Sequence, residues 1–248
     1  GALQAFAGRI SSSSKLTVDS GSGRQDWNIV GGNSGDNTFE VWNGSLDVIS
    51  SASDAATPAI NFYVRNTGNS DAVVQQTGNG TSKFIVTGTG DLNVDISTSS
   101  TGLAIDDFER IQYLANGGDI TLNFGATGIS AGTSSAASSN PVIIGAVSGQ
   151  TTTSNVTIMG QTFGGVPGFT GGSGGIVVRT GGAVKVEPSS TSFSAAQTFD
   201  STWAFTGTTG LTFGKTNNSA GVTVSGTNSV AGNLNVIGGA IAINGNQT

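Results

Sequence analysis

An apolar–polar–apolar triplet, bounded by Gly, Ser or Asn, recurs from one end of the chain to the other. Examples are Leu16-Thr17-Val18, Leu46-Asp47-Val48, Leu92-Asn93-Val94 and Ile120-Thr121-Leu122, then Val156-Thr157-Ile158, Val184-Lys185-Val186 and Leu211-Thr212-Phe213. Val222-Thr223-Val224 and Leu234-Asn235-Val236 continue the series, and Ile241-Ala242-Ile243, with a small Ala at its centre, completes it. Alternation with a period of two puts the outer side chains of each triplet on one face and the central polar one on the other. Strands in ordinary sheets run about 5–6 residues, so such short rungs suit a β-solenoid better than free-standing hairpins. With strands stacked at roughly 4.8 Å and ~20–25 residues per coil, the chain predicts on the order of ten coils in a rod about 50 Å long. A sandwich of many short strands is the alternative.

The repeat is uneven. Residues 57–65, Thr-Pro-Ala-Ile-Asn-Phe-Tyr-Val-Arg, read as a longer strand, and residues 26–42 carry two of the three Trp. The expected division is therefore a β-rich, sandwich-like or irregular N-terminal region over 1–100, followed by a solenoid repeat region over 101–248. Residues 106–116 break the pattern with apolar residues at 108, 111, 114 and 115, an Asp before them and Gly117 after. That spacing predicts a short helix or a bulging loop. Residues 128–141 and 163–175, rich in small residues and Gly, read as loops or linkers.

Composition narrows the function. The chain has 248 residues, of which 40 are Gly, and charged residues make up only 10%, against about 25% in ordinary globular proteins. The 35% apolar share sets it apart from disordered sequences, which are poor in apolar residues and rich in charge. Net charge is −6, with nine scattered basic residues, so neither nucleic acid nor anionic lipid is an expected partner. No run reaches the ~18 apolar residues of a membrane span. The single Met is Met159, so a product cut from something longer is expected, and a cleaved signal upstream stays open.

Residues 192–244 carry a resemblance. Gly210-Leu211-Thr212-Phe213-Gly214-Lys215, Ala220-Gly221-Val222-Thr223-Val224, Ala231-Gly232-Asn233-Leu234-Asn235-Val236 and Gly238-Gly239-Ala240-Ile241-Ala242-Ile243-Asn244 resemble repeats of filamentous-haemagglutinin-like adhesins, secreted by the two-partner route. The likeness covers about 55 residues well, a further stretch loosely and the first 100 hardly at all. It implies an all-β, right-handed parallel β-helix, exported to act in adhesion or aggregation, with no catalytic residues to transfer.

Chemistry-bearing positions are few. Cys and His are both absent, which removes thiolate metal sites and Ser-His or Cys-His nucleophiles. Asp106-Asp107 is the one adjacent acidic pair suggestive of glycosidic acid–base work, with helix capping or a solvated turn as the plainer role. The run 31–39 around Asp36 is similar to a Ca²⁺-binding nonapeptide, but its spacing is off by one residue and no second copy completes it. Ca²⁺ at Asp36 is the only metal the sequence suggests, and no other cofactor is expected. Trp27, Trp42, Tyr63 and Trp203 would form a sugar-stacking platform if exposed, whereas burial would make them core.

The expectation is a non-catalytic structural or adhesive segment of a secreted, cell-surface bacterial adhesin or extracellular fibre. Its partners would be a host or neighbouring-cell surface, including glycan, or further copies of itself. The alternatives are a filament subunit that joins its neighbour by strand addition through residues 1–10, and a glycan-binding module.

Overall fold

The computed structural model describes residues 2–5, 8–11, 15–31, 37–42, 44–54, 57–66, 72–77, 80–98, 111–126, 141–163, 175–225 and 228–248. Regular structure among them is entirely β. The first coils contain β1 (Ala2–Ala5), β2 (Gly8–Ser11), β3 (Lys15–Asp19), β4 (Gln25–Gly31), β5 (Asn37–Trp42), β6 (Ser45–Ser50), β7 (Ile60–Asn66), β8 (Ala72–Thr77) and β9 (Ser82–Val86). The middle contains β10 (Leu92–Thr98), β11 (Ile111–Ala115), β12 (Ile120–Asn123), β13 (Val142–Gly145), β14 (Val156–Gly160) and β15 (Ile176–Arg179). The last coils contain β16 (Ala183–Pro188), β17 (Gln197–Phe199), β18 (Trp203–Phe213), β19 (Val222–Val224), β20 (Ser229–Val236) and β21 (Ile241–Ile243).

Every pairing between these strands is parallel, and each strand pairs with its counterpart one coil away. One face of the stack runs β1-β4-β7-β10-β12-β14-β16-β18 and continues to β20. A second runs β3-β6-β9-β11-β13-β15-β18, and a third is seen as β2-β5-β8 and β17-β19-β21. The chain is a β-solenoid, and the described strands of residues 1–100 stand in the same parallel stack as those that follow.

The 11-residue β18 shows how a corner is turned without breaking the ladder. Trp203–Thr206 pairs with β15 on the second face, and Gly210–Phe213 pairs with β16 on the first. Between them Gly207 has φ 77°, a left-handed conformation that a side chain would strain.

Register explains the core. Trp27, Phe62, Val94, Leu122, Ile158, Val186 and Phe213 fall in one column on the first face, each one coil from the next. Val48, Phe84, Tyr113, Ile144, Val178 and Phe205 form the facing column on the second. All of these are buried. Full burial of such a side chain is worth about 1.5–3 kcal/mol over exposure. Phe62 of the first column lies 4.8 Å from Phe84 of the second, and within the second column Phe84 stacks 5.5 Å from Tyr113. Burial in this apolar column pushes the Tyr113 phenol above its ordinary range.

Coil length meets expectation at the end of the stack, where Thr212 to Asn235 takes 23 residues, and departs from it in the middle. The coil from Ile120 to Val156 takes 36 residues and those on either side take 28, above the 20–25 read from the sequence. A solenoid fixes only its rungs, so the excess goes into corners and loops. The helix read over 106–116 is corrected in its second half, where Ile111–Ala115 is strand β11 with Ile111, Tyr113 and Ala115 facing inward. Ladder pairing to β9 and β13 favours the period of two over the helical spacing. Residues 106–110 lie outside the described residues.

A side-chain ladder ties the corner before the first face. The Asp119 N–H donates to Asp91 Oδ1 at 2.8 Å, and the Asn155 side-chain amide donates to Asp119 Oδ1 at 3.0 Å. The Ala183 N–H then donates to Asn155 Oδ1 at 3.0 Å. Four successive coils are joined this way, each side chain accepting from a donor one coil further on.

Candidate functional sites

Of the four aromatics singled out in the sequence, two belong to the core. Trp27 is 5% exposed, packs 6.1 Å from Phe62 and donates its indole N–H to Gln25 Oε1 at 3.0 Å. Trp203 is 4% exposed and stacks on Phe205, with Phe163 and Phe199 against it. Neither ring offers a face to solvent. The Trp42 side chain, Asp36, Asp106 and Asp107 lie outside the described residues. Among the described residues no three His, Cys, Asp or Glu side chains gather where they could hold a metal.

Tyr63 is half-buried on the outer side of the first face, within a polar patch spanning coils β4 to β12. The Asn61 amide donates to Asp26 Oδ1 at 2.8 Å, and the Asn93 amide donates to Asn61 Oδ1 and to the Tyr63 hydroxyl at 3.3 and 3.2 Å. Arg24 bonds Asp26 at 2.6 Å, and Arg65 bonds Asp95 at 3.4 Å. Partial burial alone would raise the Asp26 carboxyl. The hydrogen bonds from Arg24 and Asn61, together with the Arg24 charge, outweigh it and hold the group below the usual carboxylate range. The Arg65 guanidinium lies 4.6 Å from the Tyr63 ring centre, so a cation already covers that ring. The patch spends much of its polar capacity on stitching coils together.

A groove of about 460 Å³ lies at the corner between the second and first faces. It exists because residues 146–155 turn this corner in one coil, whereas residues 116–119 and 180–182 suffice in the coils before and after. Ile85 and Leu114, outward-facing and in register on adjacent coils, line it together with Gly145. Thr87, Asn116, Gln150 and Thr151 add hydroxyl and amide groups.

The groove is built rather than left over. Gly145 sits at φ 98°, and a Cβ there would come 2.2 Å from the Arg179 carbonyl oxygen, so the site opens beside a position restricted to glycine. The Arg179 guanidinium donates to the Ala146 carbonyl at 3.1 Å, and the Gln150 N–H closes a turn onto the Val147 carbonyl at 3.1 Å. At the base of the corner the Thr152 and Ser154 hydroxyls lie 2.9 Å apart, and the Gly117 N–H donates to Ser154 Oγ at 3.2 Å. The Gln150 amide and Thr151 hydroxyl, by contrast, bond no other described residue. None of the lining side chains is charged.

No family model matches the chain, and no curated protein or solved structure matches it either. The surfaces themselves therefore carry the functional reading. No described helix is long and apolar enough to cross a membrane.

The groove was missed at the sequence level. Its available signal was the wide spacing between the triplets Ile120-Thr121-Leu122 and Val156-Thr157-Ile158.

Proposed function

We propose that the chain is a non-catalytic structural and adhesive segment of a secreted or cell-surface fibre, of the filamentous-haemagglutinin-like kind that residues 192–244 resemble. The observation that carries this reading is the parallel ladder extending from β1 to β20. A stack of this kind gives reach and resists pulling, because backbone bonds between coils share the load. Its corners and loops vary in length while the rungs stay fixed, which suits presentation of contact surface. Beads coated with the chain should adhere to host or neighbouring cells above an albumin control. Adhesion equal to that control, on every cell type of a broad panel, would overturn the adhesive role.

A second reading, a subunit of a self-assembling filament, draws on the open edges of the stack. Among the described residues β1, β2 and β3 each pair on one side only, as does β21. β1 and β2 already pair with β4 and β5 of their own chain, so a neighbour would add to their outer edge. Sedimentation of the chain with and without residues 1–10 tests it. Polymers that disappear on deletion support strand addition, and a monomer in both cases excludes it.

A further inference from the structure

We infer that the corner groove beside Gly145 binds an uncharged glycan. The ligand class follows from what lines the groove. Ile85 and Leu114, one strand spacing of about 4.8 Å apart, make an aliphatic strip suited to the C–H face of a sugar ring. Around it stand hydroxyls and amides, groups that both donate and accept, as hydroxyl-rich ligands require. Gln150 and Thr151 keep that capacity unused within the fold. The volume falls within the ~300–1,000 Å³ typical of small-ligand sites.

Other ligand classes fit less well. An anion would find no cation in the lining, the neighbouring Arg179 guanidinium being engaged on the Ala146 carbonyl, in a chain of net charge −6, and a cation would find no carboxylate there. An extended peptide adds through free backbone groups at a sheet edge. Here the N–H groups of Thr87, Asn116 and Ala146 already donate to Ser50, Val86 and Arg179 of adjacent coils. What remains is side-chain hydrogen bonding over an aliphatic floor.

The test is an array of neutral oligosaccharides (glucan, galactan, mannan and N-acetylglucosamine oligomers) with uronic-acid and sialylated counterparts, followed by calorimetric titration of the whole chain. Saturable binding to at least one neutral oligosaccharide is expected. Leu114→Trp, which fills the groove, should abolish it, and Gln150→Ala should weaken it about tenfold through loss of a hydrogen bond. Tyr63→Ala, on the other face, should leave it unchanged. If Leu114→Trp alters the fold by circular dichroism, Gln150→Ala and Thr151→Ala carry the test from an exposed corner. Absence of neutral binding, binding indifferent to the groove variants, or preference for the acidic counterparts would overturn the inference. It extends the adhesive reading yet fails separately. Oligosaccharide binding without bead adhesion removes that reading alone, and adhesion that survives groove filling without oligosaccharide binding removes this one alone.

Discussion

Val222-Thr223-Val224 and Ile241-Ala242-Ile243 are neighbours on the third face, paired residue for residue, yet their surroundings are opposite. Val222 and Val224 are 1% and 0% exposed, whereas Ile241 and Ile243 are each 51% exposed. Both place two β-branched apolar side chains on the same face, and among the described residues no further rung lies beyond the second triplet. Leu16 shows the same at the other end, 45% exposed although it pairs directly with the buried Leu46. An inward-pointing apolar residue in this fold is not buried by its own coil. It is buried by the coils on both sides, so the core belongs to the stack and each rung depends on its neighbours.

Substitutions can break or sharpen that contrast. The largest effect is expected in the middle of the columns. Phe62→Ala removes a fully buried ring touching Trp27 and Phe84 and should cost about 3–5 kcal/mol in denaturant unfolding. Asp119→Ala cuts the corner ladder, leaving the Asn155 and Ala183 positions to rearrange, and should cost about 0.5–1.5 kcal/mol by the same measurement, since these bonds are exposed and water can replace them. Ile243→Ala, on the open rung, should cost under about 1 kcal/mol, because the removed atoms are half in water already. An Ile243→Ala loss as large as that for Phe62→Ala would show that the last rung is covered.

Asp26 should give the smallest change. Its folded-state carboxyl is held below the ordinary value, so its contribution is present above the unfolded pKa, about 3.9, and fades as pH falls through the lower folded value. Asp26→Asn should therefore destabilise slightly at pH 7 and match the parent in strong acid, the pair being surface-exposed. Stability curves of both proteins against pH check this.

The rungs were legible because a period of two survives in three residues. Leu92-Asn93-Val94 or Val184-Lys185-Val186 can satisfy the pattern in few other ways. The same signal could have placed Trp27 inside, since Trp27-Asn28-Ile29 is itself an apolar–polar–apolar triplet, and Trp203-Ala204-Phe205 keeps its two large apolar side chains at the same spacing around a small Ala. Ring chemistry drew attention to them, but register decides their place. The strand Ile111–Ala115 was hidden because residues 108, 111, 114 and 115 also fit a helical period, and only pairing to coils about thirty residues away resolves it. The corner groove was hidden for a related reason. Its floor joins Ile85 to Leu114, and its wall comes from residues 146–152, a meeting that local sequence does not encode.

The parallel register can be tested by disulfide trapping, which the absence of native Cys makes clean. Thr157 and Lys185 are outward-facing partners on adjacent coils, and Thr212 lies one coil further. A disulfide needs Cα atoms about 4.4–6.8 Å apart, which adjacent rungs satisfy and rungs two coils apart, near 9.6 Å, do not. Thr157→Cys with Lys185→Cys should cross-link fully under mild oxidation, while Thr157→Cys with Thr212→Cys should keep both thiols free. Free thiols in the first pair, or a ready cross-link in the second, would contradict the stacked-coil fold.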